Sequence, residues 1–313
     1  AGRPRDHPRR ARFHSRRAQA LNTGVWLAVF AALGFSAKAI FVKLAYAAAP
    51  VEAVTLLALR MAFSLPVFLW IGLRESRNAP PLTRSDWAAT VVLGLLGYYG
   101  ASILDFLGLQ YITAGLERLI LFTYPTLTLL FGAMLYRQPI TRREWAAVAL
   151  CYLGVAAAFA HDLDMSAKTS AVWIGASLVF VSSICYALYL TGSGAMLART
   201  GVARFTALAM LVSTAATLAH FAATQPLSAL IQPPPVYLYA LAMALLSTVI
   251  PVFAQSAAIR RIGSGRAALI GTVGPLMTIV LGWWLLGEAI SAWQLAGAAL
   301  VVAGVVIVSR GKA

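Results

Sequence analysis

The second half of this chain repeats the first at a constant offset of 150 positions. Segments 125–155 and 275–305 align without a gap, and 10 of the 31 positions are identical. Helix starts are repeated too, because Thr141 with Glu144 and Ser291 with Gln294 both have capping-box spacing. The chain therefore contains two copies of one unit, and a long internal repeat in an apolar chain is typical of transporters.

The composition indicates a membrane protein. Hydrophobic residues make up 60% and charged residues 11%, whereas soluble proteins use roughly 25% charged residues. The apolar residues form continuous runs of about 20 residues, the length of a helix that crosses a bilayer core. Strands of a membrane barrel would alternate in polarity instead. We predict an all-α polytopic membrane protein with ten transmembrane helices, spans 1 to 10, at about 23–45, 51–73, 87–110, 115–136, 144–161, 171–192, 204–222, 236–258, 265–286 and 291–309.

The net charge of +15 reflects membrane orientation. Of the 25 Lys and Arg residues, 20 lie at the two termini or in loops after even-numbered spans, four lie within spans, and only Lys168 lies in the opposite loops. Basic residues collect on the cytoplasmic side of membrane proteins. We therefore expect both termini in the cytoplasm, a lipid bilayer as the partner, and no nucleic acid.

The parity of the spans sets the domain organisation. Each copy has five spans, so the second copy enters the membrane from the opposite side, and the two form an inverted repeat. Such repeats place a substrate site near the midplane, where the halves meet. We expect a basic, disordered cytoplasmic tail (1–21), a first five-helix repeat (22–161), a periplasmic linker (162–170), a second repeat (171–309) and a cytoplasmic C-terminus (310–313).

Several short patterns resemble a known family. The segment 107–114 (LGLQYITA) followed by Pro125 to Gly154, and its second copy from Ala257 through Pro275 to Leu286-Gly-Glu288 and Gly304, are similar to EamA-type units of the drug/metabolite transporter superfamily. The resemblance covers about 22–309 and implies a multi-pass carrier in the bacterial inner membrane. Among members, we expect an exporter of amino acids, including aromatic ones. Gln138 departs from the family pattern, which the second copy keeps as Glu288.

Charged residues inside spans are the first candidates for function, because charge at membrane depth is costly. Lys38 is expected either to meet a substrate carboxylate or to form a structural pair with Asp105 or Glu117. For Arg60 a structural pair is favoured. Glu117 and Arg118 lie one turn inside span 4, where capping and pairing are expected.

Polar and aromatic residues at midplane depth are the second group. Ser183, Tyr186 and Gln255 are expected to contribute to substrate binding, although Ser and Thr in membranes commonly bond only to neighbouring helices. Tyr98 and Tyr99 are about 100° apart on one helix, so only one of them faces a cavity fully. We favour Tyr99, which would offer an aromatic face with one polar tip.

Prolines and small residues form the third group. Pro125, Pro251 and Pro275 are expected to kink spans 4, 8 and 9. Pro125 and Pro275 occupy equivalent places in the two copies, which suits a rocking carrier, while a static kink is the alternative. Spans 5 and 10 are rich in Ala and Gly, and we expect them to pack closely beside the cavity.

Other function classes lack their signatures. The four histidines have no metal-ligand spacing, and no nucleophile or phosphate-binding motif occurs. We therefore expect no enzyme, no metal and no cofactor. A channel would need a selectivity filter, which the sequence does not suggest. We expect a monomeric secondary carrier of small amphipathic metabolites that works by alternating access, and uniport and proton antiport both remain open.

Overall fold

The computed structural model describes residues 8–137, 139–165, 169–262, 270–271 and 273–310. These residues form helices and short connections, and none of them lies in a β-strand. The all-helical prediction is therefore confirmed for this part of the chain. Gln138 and Lys168 lie outside the described residues.

The α-helices are interrupted and joined by turns of other helix types. Two π-helical turns, Leu95–Gly100 and Leu245–Val249, each join two α-helices. A third π-helical turn is Gly282–Leu286, and Leu227–Leu230 is a 3₁₀ turn. The α-helices are α1 (Pro8–Ala48), α2 (Ala53–Ser76), α3 (Arg84–Gly94), α4 (Ala101–Gly108), α5 (Ala114–Leu121), α6 (Tyr124–Tyr136), α7 (Arg142–Met165), α8 (Thr169–Thr200), α9 (Val202–Thr224), α10 (Pro234–Ala244), α11 (Ile250–Ile262), α12 (Gly274–Leu281) and α13 (Ala292–Arg310).

Eight helical stretches among the described residues are long and apolar enough to cross a membrane, and they coincide with predicted spans 1 to 8. Two shorter apolar helices, Gly274–Leu286 and Ala292–Ile307, lie where spans 9 and 10 were predicted. The chain is a multi-pass membrane protein.

The N-terminal prediction needs correction. The expected disordered tail is helical from Pro8 onward and continues without a break into span 1. The segment between Pro8 and Gly24 contains neither proline nor glycine and is rich in Ala and Arg, which are strong helix formers. Pro8 itself suits the first turn of a helix.

The segment 162–170, predicted as a linker, is helical over 162–165 and 169–170. Helix α7 continues to Met165, and α8 begins at Thr169, so only residues 166–168 lie outside the described helices there.

Two of the three prolines predicted to kink spans lie in the first turn of a helix. Helix α5 ends at Leu121, and α6 begins at Tyr124 with Pro125 in its first turn. Likewise, Pro275 lies in the first turn of α12. Proline lacks the amide hydrogen that a helix interior needs but is well placed at a helix start. Pro251 lies inside the helical stretch of span 8, directly after a π-helical turn.

The local geometry repeats at the offset seen in the sequence. Helices α3 and α10 have equivalent bounds, 84–94 and 234–244, and the π-helical turns after them begin at the equivalent positions Leu95 and Leu245. The starts of α6 and α12, at Tyr124 and Gly274, are equivalent as well.

The helices pack in equivalent pairs. α1 packs on the helices of span 8, and α8 packs on those of span 3; α2 packs on α9, and α7 on α13. The α7–α13 contact is close because glycines face each other: a Cβ added at Gly154 would lie 2.5 Å from the Gly297 carbonyl oxygen. The expected close packing of spans 5 and 10 is therefore seen, and small residues permit it.

Candidate functional site

A buried charged cluster joins the helices of spans 1, 3 and 4. The Lys38 ammonium, on α1, lies 2.7 Å from Asp105 Oδ2 on α4 and 3.8 Å from Glu117 Oε1 on α5. The two acids are 1% and 0% exposed, and the lysine side chain is 17% exposed. Both partners expected for Lys38 are thus present, and the lysine is the most accessible of the three.

Arg118 extends this cluster along α5. Its Nε lies 3.7 Å from Glu117 Oε2, and its Nη2 donates a 2.7 Å hydrogen bond to the Phe35 carbonyl oxygen on α1. The expected pairing of Glu117 and Arg118 is therefore loose, because the guanidinium makes its short bond to the backbone. The N-cap of α5 is supplied by Thr113, whose hydroxyl accepts from the Leu116 amide.

Arg60 is not ion-paired as predicted. No carboxylate among the described residues lies within 4.0 Å of it, although the side chain is buried. Its Nε donates to the Thr248 hydroxyl at 3.1 Å, and its guanidinium lies over the Phe106 ring at 5.6 Å. A cation–π contact and a neutral acceptor from a π-helical turn replace the expected acid.

A second polar junction connects the two copies near the ends of their helices. Glu288, from the second copy, accepts hydrogen bonds from the Ala114 amide at 3.0 and 3.1 Å and lies 3.6 Å from the Lys43 ammonium. Lys43 donates to the Ile112 carbonyl oxygen at 2.7 Å. Glu288 thus places an acid at the N-terminus of α5, where helix amides are unsatisfied. The sequence prediction gave neither residue a role.

A cavity of about 480 Å³ lies beside this junction. Its lining includes Lys43, Tyr46, Glu52 and Gln110, from the end of α1, the start of α2 and the end of α4. Lys38, Asp105 and Glu117 do not line it.

Four tyrosines form an aromatic cluster between spans 3, 4 and 6. The Tyr98 and Tyr189 hydroxyls are 3.0 Å apart, with ring centroids 5.0 Å apart. Tyr186 stacks with Tyr189 at 5.9 Å and contacts Tyr124 edge-on at 4.9 Å. Of these, Tyr186 was predicted as a binding residue, and Tyr98 was weighed against Tyr99.

Tyr99 lies outside this cluster. Its hydroxyl is 2.9 Å from His220 Nδ1 on α9, and the two rings meet edge-on at 6.0 Å. It is thus turned toward span 7, away from Tyr186. The rotation of about 100° between adjacent residues separates Tyr98 and Tyr99 onto two surfaces of one helix, as expected.

Ser183 is fully buried at the break between α5 and α6. Its hydroxyl donates to the Leu121 carbonyl oxygen at 3.2 Å and lies 2.8 Å from the Thr123 hydroxyl. Since the last carbonyls of a helix lack intrahelical partners, Ser183 stabilises this break. Gln255 is partly buried on α11 and makes no contact with Lys38 or Tyr186 that the structure records.

Sequence reasoning missed the Tyr124, Lys43 and Glu288 contacts for identifiable reasons. Tyr124 precedes the Pro125 helix break, which places its ring against Tyr186, and the repeat offset relates it to Gly274, which has no side chain. Lys43 and Glu288 are at span ends, where a lysine normally reaches water without a partner. The one available signal was the difference between Gln138 in the first copy and Glu288 at the equivalent position of the second.

Comparisons with known proteins agree with one another. The sequence profile of the EamA-like transporter family matches residues 22–160 and again residues 173–310. The chain is 30% identical over 275 residues to the uncharacterized transporter YcbK of Bacillus subtilis, covering 84% of this chain and 85% of the relative.

Other relatives are more distant. The uncharacterized transporter YyaM of Bacillus subtilis is 24% identical, with 72% of this chain and 74% of the relative covered. A solved crystal structure shares the fold with a TM-score of 0.62 at 18% identity, covering 91% of this chain and 96% of the other.

Proposed function

We propose a solute class and a mechanism for this chain, which belongs to the EamA-like transporter family of the drug/metabolite transporter superfamily and is a membrane transporter. The proposal is a secondary carrier in the bacterial inner membrane that exports small amphipathic metabolites, most of all amino acids, including aromatic ones. The observation that carries it is the partly exposed Lys38 ammonium, held at membrane depth beside the buried acids Asp105 and Glu117.

The proposed architecture is ten transmembrane helices in two inverted five-helix repeats with both termini in the cytoplasm. Contacts exchanged between equivalent positions support it. Ser36 and Tyr186 are related by the offset of 150, as are Tyr124 and Gly274. Ser36 donates to the Gly274 carbonyl oxygen at 3.1 Å, and Tyr186 packs on Tyr124. Each copy thus contacts the helix break of the other copy.

The proposed solute has a carboxylate and an apolar or aromatic body. An ammonium with three donors makes one short bond, to Asp105, which leaves donors for a solute carboxylate. The tyrosine cluster supplies ring faces and hydroxyls suited to an aromatic body. Tyr99 and Gln255 stay predictions for this wall, and Ser183 would act by holding the helix break behind it.

Alternating access would use the paired helix breaks as hinges. Equivalent breaks at Tyr124 and Gly274 allow each copy to rock against the other. The junction of Glu288 with Lys43 and Ala114 would hold one entrance of the carrier closed. Breaking these contacts would open that entrance. Because the junction lies at the end of span 1 that faces away from the basic loops, the entrance it closes would be the outer one.

The test is transport by purified protein in proteoliposomes. A panel of labelled amino acids is offered with and without a pH gradient, and we expect counterflow of L-phenylalanine or a related aromatic amino acid. Lys38→Met should abolish most counterflow while the amount of folded protein in the membrane falls less. Unchanged counterflow by Lys38→Met would rule out Lys38 as the residue that binds the solute carboxylate.

Topology has its own test. A cysteine placed at Lys168 should react with an impermeant reagent added outside cells, and a cysteine at Arg77 should not. The opposite pattern would overturn the inverted repeat with cytoplasmic termini.

A further inference from the structure

Glu117 is a fully buried acid whose oxygens are not used. Neither carboxyl oxygen accepts a hydrogen bond within the part of the chain that the structure describes. The nearest cationic atoms, Lys38 Nζ and Arg118 Nε, are 3.8 and 3.7 Å away, well beyond a charge-assisted hydrogen bond. An ionised carboxylate in this place loses its water without gaining the donors that normally replace it.

Asp105 has the better share of the neighbouring cation. It takes the 2.7 Å contact with Lys38, whereas Glu117 lies 3.8 Å from that ammonium and 3.7 Å from Arg118 Nε, so only Asp105 is close to a cation. The two carboxyl groups are thus neighbours around the same Lys38 ammonium. In an apolar surrounding, two adjacent carboxylates of this kind share a proton and titrate as a pair.

The other helices packed on α5 bring no further cation to this place. These are α7, α8, α12 and α13, besides α1. Along their middles they carry no Asp, Glu, Lys or Arg. The charged and titratable groups around the pair come from several helices. They are Lys38 and Tyr46 on α1, Arg60 on α2, Arg118 on α5, Lys43 and Glu288 at the start of α5, Tyr124 on α6, Cys151 and Tyr152 on α7, and Cys185, Tyr186 and Tyr189 on α8.

We propose that Asp105 and Glu117 form a proton-binding site that holds one exchangeable proton and couples the transport cycle to proton movement. The inference rests on the proposed carrier function and assigns its coupling ion. The step is a proton transfer: a Glu117 carboxyl oxygen gains a proton from water when the site opens to one side and returns it to water on the other. No other bond forms or breaks.

The arrangement gives the shared proton a consequence for Lys38. With the proton on Glu117, Asp105 alone holds the ammonium. With the proton gone, both carboxylates attract it. The proton therefore changes how firmly Lys38 is held beside the place proposed for the solute carboxylate, which is how a proton and a solute become linked.

Infrared spectroscopy of the protein in lipid nanodiscs tests proton binding without any solute. At neutral pH we expect the carbonyl stretch of one protonated carboxyl group, disappearing as the pH is raised. Glu117→Gln and Asp105→Asn should each remove it, because the remaining acid then has the cations to itself and ionises. Glu117→Asp should retain it. A wild-type protein without this band, or one whose band survives Glu117→Gln, overturns the proposal.

Glu288→Gln is the matched control. Glu288 is also an acid near α5, but both of its carboxyl oxygens accept from the Ala114 amide, and it lies 3.6 Å from the Lys43 ammonium. The infrared band should be unchanged in this variant. Loss of the band in Glu288→Gln would show that Glu288 carries the proton, and it would overturn the proposal.

Proteoliposomes loaded with a pH-sensitive dye test the coupling. A gradient of L-phenylalanine, which is zwitterionic and brings no net proton, should change the internal pH in either direction with the wild type and not with Glu117→Gln. Phenylalanine movement with no pH change in the wild type overturns the coupling. If phenylalanine does not move at all, the proposed solute is wrong, and the infrared result still decides the proton site.

Discussion

The two copies of the unit have the same backbone features but very different charge. Position 38 is lysine in the first copy and its equivalent, Leu188, is apolar; Asp105 corresponds to the neutral Gln255. By contrast, the π-helical turns and the proline-marked helix breaks occur in both copies at equivalent positions. The helical frame is duplicated, whereas the cluster of Lys38, Asp105 and Glu117 belongs to one copy.

This difference separates two roles. Features that bend helices must be matched if both copies are to move alike, because a rocking carrier exchanges the conformations of its halves. A charged site needs to exist only once, since each buried charge is costly and requires its own partners. The one-sided cluster therefore indicates chemistry, and the matched breaks indicate motion.

The largest expected effect comes from breaking the charged cluster in the first copy. Asp105→Leu leaves the Lys38 ammonium without its 2.7 Å partner, and removing one member of a buried pair typically costs about 3–5 kcal/mol. The measurement is the free energy of unfolding in mixed micelles titrated with denaturing detergent.

The equivalent change in the second copy is the control. Gln255→Leu conserves volume and orphans no charge, so its cost should stay below about 1.5 kcal/mol. The double variant Lys38→Met with Asp105→Leu should recover most of the loss, because an apolar replacement for a buried pair is often neutral. Equal losses of unfolding free energy in Asp105→Leu and Gln255→Leu would show that the two copies do not differ in this respect.

The next effect tests close packing between the copies. Gly154→Ala places a Cβ 2.5 Å from the Gly297 carbonyl oxygen, and overpacking of this kind costs about 1–3 kcal/mol. Thermal unfolding in detergent measures it.

Gly132→Ala provides the comparison, since a Cβ there meets nothing within 4 Å. It should leave the unfolding temperature unchanged or slightly raised, because Ala is the better helix former. A loss in Gly132→Ala as large as that in Gly154→Ala would show that the backbone approach of α7 and α13 is not the cause.

The sequence was sufficient for the helical frame. Runs of apolar residues predicted the places of the spans, and the repeat predicted equivalent places for Pro125 and Pro275, although as kinks and not as the helix starts that the structure has there. Partners were harder to predict, because Arg60 and Thr248 come from different copies. The π-helical turns have no sequence rule that separates them from α-helix, so the turn that presents Thr248 to Arg60 was not foreseen.

The choice between Tyr98 and Tyr99 shows the same limit. Periodicity established that the two face different ways, but which of them faces α8 depends on the rotation of span 3. That rotation is fixed by packing, including Gly97, where an added Cβ would overlap the Tyr189 ring. A glycine one residue before the pair was therefore the relevant signal.

A smaller effect is expected at the junction between the copies. Glu288→Gln makes the second copy resemble Gln138 of the first. The amide oxygen can still accept from Ala114, but the ionic contact with Lys43 is lost, and a neutral hydrogen bond is about 1 kcal/mol weaker than a charged one. The unfolding temperature should fall slightly.

Accessibility adds a second measurement for this variant. If the junction closes the outer entrance, a cysteine at Gln110, beside the cavity next to Lys43, should react faster with an impermeant reagent in Glu288→Gln. The Glu144→Gln variant, whose acid is exposed and remote, should leave that rate unchanged. An unchanged rate in Glu288→Gln would leave the junction as a helix cap alone.

The smallest expected effect compares the two capping boxes. In the first copy Glu144 accepts from both the amide and the hydroxyl of Thr141, at 2.8 and 2.9 Å, and the Glu144 amide donates back to the hydroxyl. In the second copy the Gln294 amide donates to the Ser291 hydroxyl at 3.0 Å. Replacing an N-cap by Ala costs about 0.5–2 kcal/mol.

The loss of unfolding free energy in Thr141→Ala should lie at the lower end of this range, because its capping box is exposed to water. The loss in Ser291→Ala should be as large or larger, because Gln294 is buried. Unfolding temperatures of the two variants decide this, and a larger loss in Thr141→Ala would mean that the charge of Glu144 outweighs burial at these equivalent helix starts.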